Sequence, residues 1–163
     1  MSTFMEFRMA VVPPSSHTTL TPDFELDEDF ESLVMDACQL LSQSDCSFRV
    51  SGFGQDSWPV DVSYDLSSVI EQLPDALASL RRRESAQIDF YGQGVERVVA
   101  FAPDEGMVAI QCTTRTGWVP SPDTESVSQS EAEALLVALA RDFKLALEHA
   151  CPEVAALSPF VDW

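Results

Sequence analysis

The residues that could carry acid–base or nucleophilic chemistry do not form a recognisable catalytic set. The chain has two histidines, His17 in a loop-like stretch and His149 near the end of a helical pattern. The motifs GxSxG, HExxH and Walker A are absent. The pair Gly52 and Gly54 lacks the third glycine and the following helix of a dinucleotide loop. The sequence therefore predicts no cofactor.

The four cysteines are spaced too widely for a zinc or redox motif. Cys38, Cys46, Cys112 and Cys151 form no CxxC pair, and no histidine lies at a zinc-like spacing from them. We expect reduced thiols that are either small buried side chains or surface groups. A Cys38–Cys46 bridge is the alternative, which a cytoplasmic location disfavours. No metal site is predicted.

Paired carboxylates are the remaining chemistry. Asp89 and Glu96 fall on adjacent predicted strands, where they could converge with Asp61 and Asp65 for acid–base work. In a chain with 27 acidic residues, however, such neighbours arise by chance. We therefore predict that the protein is not an enzyme.

Net charge is the most informative bulk property. The 27 acidic residues face only 9 basic ones, which gives a net charge of −18. Nucleic acids and anionic membranes are excluded as partners because both require a basic face. A basic protein partner is favoured, since complementary fields speed encounter, although solubility alone is an alternative explanation. No apolar run reaches a membrane span and the N-terminus is a poor signal peptide, so a cytoplasmic protein is expected.

Apolar residues that recur every three to four positions predict three helices. Pro74 should kink or split the second helix. The arginines at the end of this helix, Arg81–Arg83, should interact favourably with the helix dipole and pair with acidic neighbours; an anion site is the alternative. The predicted helices are residues 28–43, a helix from the Ser68–Glu71 capping box to Arg81–Arg83, and a helix from the Ser128–Glu131 capping box to His149.

Alternating and turn residues predict the strands. A strand at 46–53 and a second one at 58–62 should form a hairpin, and residues 86–114 a three-stranded meander. Residues 3–12 are a candidate edge strand, and 116–130 should be a long surface loop. The order (β)-α-β-β-α-β-β-β-α indicates an α+β fold, with an antiparallel sheet of about five strands flanked by three helices. We expect a single domain over 1–163, with residues 1–22 partly loop and 152–163 a C-terminal tail.

The middle of the chain resembles a known family. GFGQDSWPVDVSYDL (52–66), EQLPDAL (71–77) and IDFYGQGVERVVAF (88–101) resemble small, acidic bacterial proteins that act as immunity partners of polymorphic toxins. The resemblance covers about residues 46–125. It implies an inhibitor that binds a cognate toxin, expected to be a basic domain, and occludes its active site.

Predicted turn exposure selects candidate contact residues for such a partner. A tight interface needs aromatic or arginine anchors within the acidic field. The candidates are the anchors Trp58, Tyr91, Arg97 and Trp118, surrounded by Asp56, Asp61, Asp89 and Asp104.

Two other functions remain open from the sequence. A small acidic secretion chaperone has a similar size, charge and order of elements, and would form a dimer and hold an extended effector segment. A small enzyme or ligand-binding domain would instead need a deep pocket with titrating carboxylates. The sequence leaves the choice between monomer and dimer open.

Overall fold

The computed structural model of the chain describes residues 6–15, 20 and 29–163. The predicted α+β class with antiparallel strands is confirmed, but the single sheet of five strands is wrong, because the strands form a two-stranded and a four-stranded sheet. The described ranges contain four α-helices rather than three. The strands are β1 (Arg8–Val12), β2 (Ser47–Ser51), β3 (Ala86–Phe90), β4 (Arg97–Asp104), β5 (Met107–Thr114) and β6 (Thr124–Ser128), and the helices are α1 (Phe30–Ser42), α2 (Ser67–Arg81), α3 (Gln129–Ala150) and α4 (Pro152–Ala155).

The small sheet pairs β2 with β1, not with the segment that follows it. The predicted hairpin between residues 46–53 and 58–62 is therefore wrong. One backbone hydrogen bond, from Trp58 N to Val50 O at 2.8 Å, begins such a pairing. Pro59 then has no N–H to continue it. The edge strand predicted within residues 3–12 is observed as β1.

Residues 61–66 form the entrance to α2 rather than a strand. Asp61 Oδ1 accepts the backbone N–H groups of Tyr64 and Asp65 at 2.9 and 2.8 Å. A single π-helical turn, Val62–Leu66, then leads directly into α2. The predicted capping box at Ser68 is wrong, because the Ser68 hydroxyl donates to the Asp65 carbonyl inside this helical entrance.

Helix α2 passes through Pro74 to Arg81, so the predicted split does not occur. A proline in a helix interior costs about 3 kcal/mol. Leu73 and Leu80 lie on the buried face of this helix, and burying one such side chain contributes about 1.5–3 kcal/mol. Packing therefore offsets the proline.

The end of α2 carries the arginine cluster. Arg81 lies 3.9 Å from Glu133, and Arg82 lies 3.3 Å from Glu84. The predicted pairing with acidic neighbours is confirmed for these two arginines, which are exposed. Surface pairs of this kind contribute little to stability.

The large sheet has the strand order β3-β4-β5-β6. The predicted meander over residues 86–114 is confirmed. Part of the predicted loop at 116–130 is instead β6, which pairs with β5. Val127 is the one buried residue of β6, so its sequence shows almost no apolar alternation. The Glu125 side chain of this strand accepts the backbone N–H groups of Glu6 and Phe7, which joins it to the chain before β1.

The core lies between one face of the large sheet and the helices. Helix α3 begins at the predicted capping box of Ser128 and Glu131, which is confirmed. The C-terminal segment folds back on this helix, where Phe160 is fully buried and its ring lies 5.6 Å from that of Phe143. The predicted tail therefore packs against the body of the protein. The predicted helix at 28–43 is confirmed as α1, with Asp29 as its N-cap.

Candidate partner-binding surface

The predicted contact residues divide into a buried group and an exposed group. Trp58 and Arg97 are each only 3% exposed, and Trp118 is half-buried. The predicted turn exposure of Trp58 and Arg97 is therefore wrong, and neither can anchor a partner without rearrangement. The exposed or half-exposed candidates are Asp56, Asp61, Asp89, Tyr91 and Asp104.

The buried group forms a cage around a cation, here called the arginine cage (Gln55, Trp58, Arg97 and Trp118). The Arg97 Cζ atom lies 3.8 Å from the ring centroid of Trp118 and 4.5 Å from that of Trp58. Arg97 Nη1 donates a hydrogen bond of 2.7 Å to Gln55 Oε1. The cage thus ties the start of β4 to the loop after β2 and the loop after β5.

The buried cation has no carboxylate partner within residues 6–15, 20 and 29–163. Among the ion pairs of the described residues, none includes Arg97, and neither the adjacent Glu96 nor Asp89 pairs with it. Asp89 instead lies 3.2 Å from Arg115. Arg97 Nε is buried without a hydrogen-bond partner, and desolvation lowers the pKa of the guanidinium. Aromatic ring faces replace the missing counter-charge, which is what a cation–π contact provides.

A second aromatic group lies on the surface. Tyr64, on the π-helical turn, and Tyr91, directly after β3, are 48% and 42% exposed. Their ring centroids are 6.1 Å apart with an interplanar angle of 89°. The Tyr91 hydroxyl donates to the Glu71 carboxylate of α2. Desolvation and this hydrogen bond raise the pKa of the Tyr91 hydroxyl, which keeps it a donor at neutral pH.

Carboxylates lie near Tyr91, since Glu71 accepts its hydroxyl and the charge of Glu31 contributes to its raised pKa. Glu71 and Asp75, one turn apart on α2, line an open groove of about 590 Å³ together with Glu31 of α1. No lysine or arginine lines the groove, and no ion pair of the described residues includes these three carboxylates. We call this region the tyrosine–acid surface (Glu31, Tyr64, Glu71, Asp75 and Tyr91).

The remaining exposed candidates are not gathered into one patch. Asp61 caps the helical entrance beside Tyr64, and Asp89 is engaged by Arg115. Asp104 lies at the β4–β5 turn, where it lines a shallow groove with Arg83. Asp56 lies on the loop after β2. Of the exposed candidates, Tyr91 is a member of the tyrosine–acid surface.

Asp65 is a buried carboxyl beneath the tyrosine pair. It is 6% exposed, and its Oδ2 accepts the backbone N–H of Asp61 at 2.9 Å. A Cβ atom on Gly92 would lie 2.2 Å from Asp65 Oδ1, so this glycine gives the carboxyl its space. Desolvation raises the pKa of Asp65, and the nearby charge of Asp61 adds to the rise.

Of the carboxylates considered for acid–base work, Asp61 and Asp65 lie together at the helical entrance, whereas Asp89 pairs with Arg115. All four cysteines are buried and free, and burial raises the pKa of Cys46 and of Cys112 to about 11, which leaves the thiols protonated. Within residues 6–15, 20 and 29–163, no three His, Cys, Asp or Glu side chains form a metal-binding group. His149 Nδ1 lies 3.3 Å from the Pro14 carbonyl, and His17 lies outside the described residues.

Comparisons with known proteins add no relative. No protein-family model matches the chain, and no curated protein or solved structure matches it at a significant level. The resemblance to immunity proteins therefore stays a prediction. In the part of the chain that the structure describes, no helix is long and apolar enough to cross a membrane.

Sequence reasoning missed most of the tyrosine–acid surface. Glu71 and Asp75 lie four residues apart, so their shared position on the polar face of α2 was readable from spacing. Their proximity to Tyr91 was not, because it depends on how α2 packs beside β3. Tyr64 was missed because the predicted strand at 58–62 left no place for the helical entrance at 61–66 that carries it.

Proposed function

We propose that the protein is an inhibitor of the immunity type, which binds a basic toxin domain through its tyrosine–acid surface. The observation that carries this proposal is the exposed pair Tyr64 and Tyr91 next to a groove with three carboxylates, none of which forms an ion pair within the described residues. Tyrosine is enriched among the residues that dominate binding energy at protein interfaces. The surrounding carboxylates supply the field that attracts a basic partner.

Preorganisation supports a binding role for this surface. The Tyr91 hydroxyl is held by Glu71, and its ring is held edge-on by Tyr64, so little side-chain freedom remains to be lost on binding. The net charge of −18 extends the attraction beyond the contact itself. The resemblance of residues 46–125 to immunity proteins supports a toxin as the partner.

The proposal is tested by charge reversal with the toxin domain encoded beside the protein's own gene. The double variant Glu71→Lys/Asp75→Lys should lose at least about tenfold in affinity, because it replaces attraction with repulsion at the contact. Affinity is measured by calorimetry, and protection by growth of cells that express the toxin. The lost affinity should shrink as salt is raised, since salt screens exposed charges.

A matched control separates the surface from the overall charge. Glu148→Lys/Glu153→Lys changes the net charge equally but alters exposed residues at the end of α3 and on α4. This control should retain most of the affinity. Equal losses in the two double variants would show that only the overall charge matters, and unchanged affinity in the first would remove the tyrosine–acid surface from the interface.

A further inference from the structure

Strand β3 is an edge of the four-stranded sheet, since only β4 is paired with it. An edge strand carries a row of backbone N–H and C=O groups that point away from the sheet. Proteins commonly block such edges, and a block that covers only part of the edge leaves the rest able to pair with another chain.

Gln72 of α2 blocks the edge at one position. Its side-chain Nε2 donates to the Asp89 carbonyl at 2.8 Å, and its Oε1 accepts the Asp89 N–H at 2.8 Å. The amide therefore reproduces both hydrogen bonds that a neighbouring strand would make. These bonds also show that the backbone groups of Asp89 point away from β4.

The same geometry leaves Gln87 open. Backbone direction alternates along a strand with a period of two, so the N–H and C=O of Gln87 point to the same side as those of Asp89. None of the described side chains closes this position as Gln72 closes Asp89. Ser85, Ala86 and Gln87 line the groove of about 590 Å³ that Glu71 and Asp75 of α2 also line, and residues 100–102 of β4 complete its lining beside them.

We propose that this groove accepts an extended, basic segment of the partner, which adds to β3 as a short strand at Gln87. The segment would accept the Gln87 N–H, donate an N–H to the Gln87 carbonyl, and direct lysine or arginine side chains to the groove acids. The inference rests on the proposed function, because it assigns the form of the partner at the same surface.

Charge and geometry together select this occupant. An acidic or neutral strand would gain the backbone hydrogen bonds but leave Glu31, Glu71 and Asp75 without counter-charge. A basic helix would satisfy the carboxylates but has no free backbone groups for Gln87, since its own are used internally. Only an extended basic segment uses both features of the groove.

The probe is an eight-residue peptide of alternating lysine and threonine, titrated against the wild-type protein. A second peptide of the same sequence carries N-methyl groups on alternate amides, on the edge that would face β3. Nuclear magnetic resonance follows the Gln87 amide. The first peptide should bind and protect this amide from hydrogen exchange, and N-methylation should weaken binding by about tenfold because the backbone donors are removed.

A variant pair tests the same bond from the protein side. Gln87→Pro removes the outward N–H but none of the β4 ladder, which an edge strand tolerates. It should lower the affinity for the lysine–threonine peptide by about tenfold. Gln87→Ala keeps the N–H, so its affinity for the peptide should lie within about threefold of that of the wild type. Should Gln87→Pro fail to fold, the N-methylated peptide on the wild-type protein decides the question.

The outcomes separate this inference from the proposed function. Absence of binding up to about 1 mM, equal affinity for the N-methylated peptide, or an unprotected Gln87 amide in the complex would each overturn strand addition. The proposed function would survive these results if Glu71→Lys/Asp75→Lys still lowers the affinity for the toxin domain. Conversely, peptide binding with no effect of that charge reversal on the toxin would contradict the proposed function and leave the groove as a peptide site.

Discussion

The arginine cage and the tyrosine–acid surface treat charge in opposite ways. In the cage, one cation is buried among aromatic rings, and none of the ion pairs of the described residues reaches it. At the surface, three carboxylates line a groove that has no lysine or arginine in its lining, and one of them, Glu71, accepts the hydroxyl of the exposed Tyr91. The chain has 27 acidic and 9 basic residues, yet among the described residues no acid pairs with the buried Arg97 and no base lines the groove.

The contrast separates stability from recognition. A buried cation held by ring faces and one neutral oxygen fixes the loops around it but is closed to a partner. The tyrosine–acid surface contributes little to folding, because its polar contacts are solvated. We expect substitutions in the cage to change the free energy of unfolding, and substitutions at the surface to change affinity.

The largest effect on stability is expected from Trp58→Ala. The Trp58 ring packs against Phe90 at 5.2 Å and against Trp118 at 6.0 Å, and it is almost fully buried. Its truncation should lower the free energy of unfolding by about 3–5 kcal/mol. Urea denaturation measures the loss, with Tyr91→Ala as the surface control, which should cost far less. A larger cost for Tyr91→Ala would invert the comparison.

The second effect concerns the cation itself. Arg97→Lys should lower the free energy of unfolding by about 2 kcal/mol, because an ammonium cannot stack on Trp118 and also reach Gln55. Arg97→Met should cost less, since it removes the buried charge and its unpartnered Nε while keeping apolar contact with the rings. Thermal and urea unfolding of both variants provide the measurement. Wild-type stability in Arg97→Lys would show that the cage is not what holds the loops.

A smaller effect is expected in the pH dependence of the free energy of unfolding, through the buried Asp65 beneath the tyrosine pair. Because its folded pKa is raised above the ordinary value of 3.8, the folded state holds this proton more tightly than the unfolded state. The stabilisation is present below pH 3.8 and is lost as pH rises through the raised pKa. In Asp65→Asn, the free energy of unfolding should fall less over that interval than in the wild type.

Urea denaturation at a series of pH values checks this prediction, with Asp104→Asn as the control for the loss of one acidic side chain. Asp104 lies on an exposed turn. A pH profile of Asp65→Asn that parallels that of the wild type would contradict the assigned burial of the carboxyl.

The smallest effect on stability is expected from Tyr91→Phe. This change removes only the hydroxyl that donates to Glu71, so the free energy of unfolding should change by less than about 1 kcal/mol. Affinity for the toxin domain should nevertheless fall, because the ring loses its fixed position. Calorimetry and urea denaturation on the same samples compare the two quantities. A loss of stability without a loss of affinity would place Tyr91 with the cage residues.

Local signals in the sequence predicted the parts of the fold that depend on neighbouring residues. The Ser128–Glu131 capping box opens α3, and the turns within residues 86–114 join β3, β4 and β5. In both places the decisive hydrogen bonds lie between residues that are close in sequence. The α+β class follows from these elements.

The parts that sequence reasoning missed depend on distant contacts. β1 pairs with β2 across α1, and Glu125 of β6 is held by the chain before β1. Arg97 looked exposed because it follows a glycine-rich turn, but its partners Gln55 and Trp118 come from two other loops. Spacing along the chain carries no information about contacts between residues that are distant in sequence. The contacts of Arg97 with Gln55 and Trp118, and of Tyr91 with Glu71, are therefore visible only in the folded structure.

Fluorine resonance of labelled aromatic residues tests the central claim most directly. The chain contains two tyrosines, both in the tyrosine–acid surface, and three tryptophans, of which Trp58 and Trp118 lie in the cage. Fluorotyrosine and fluorotryptophan samples are titrated with the toxin domain. We predict that both tyrosine signals shift while the Trp58 signal does not move. Unchanged tyrosine signals together with a shifted Trp58 signal would contradict the account.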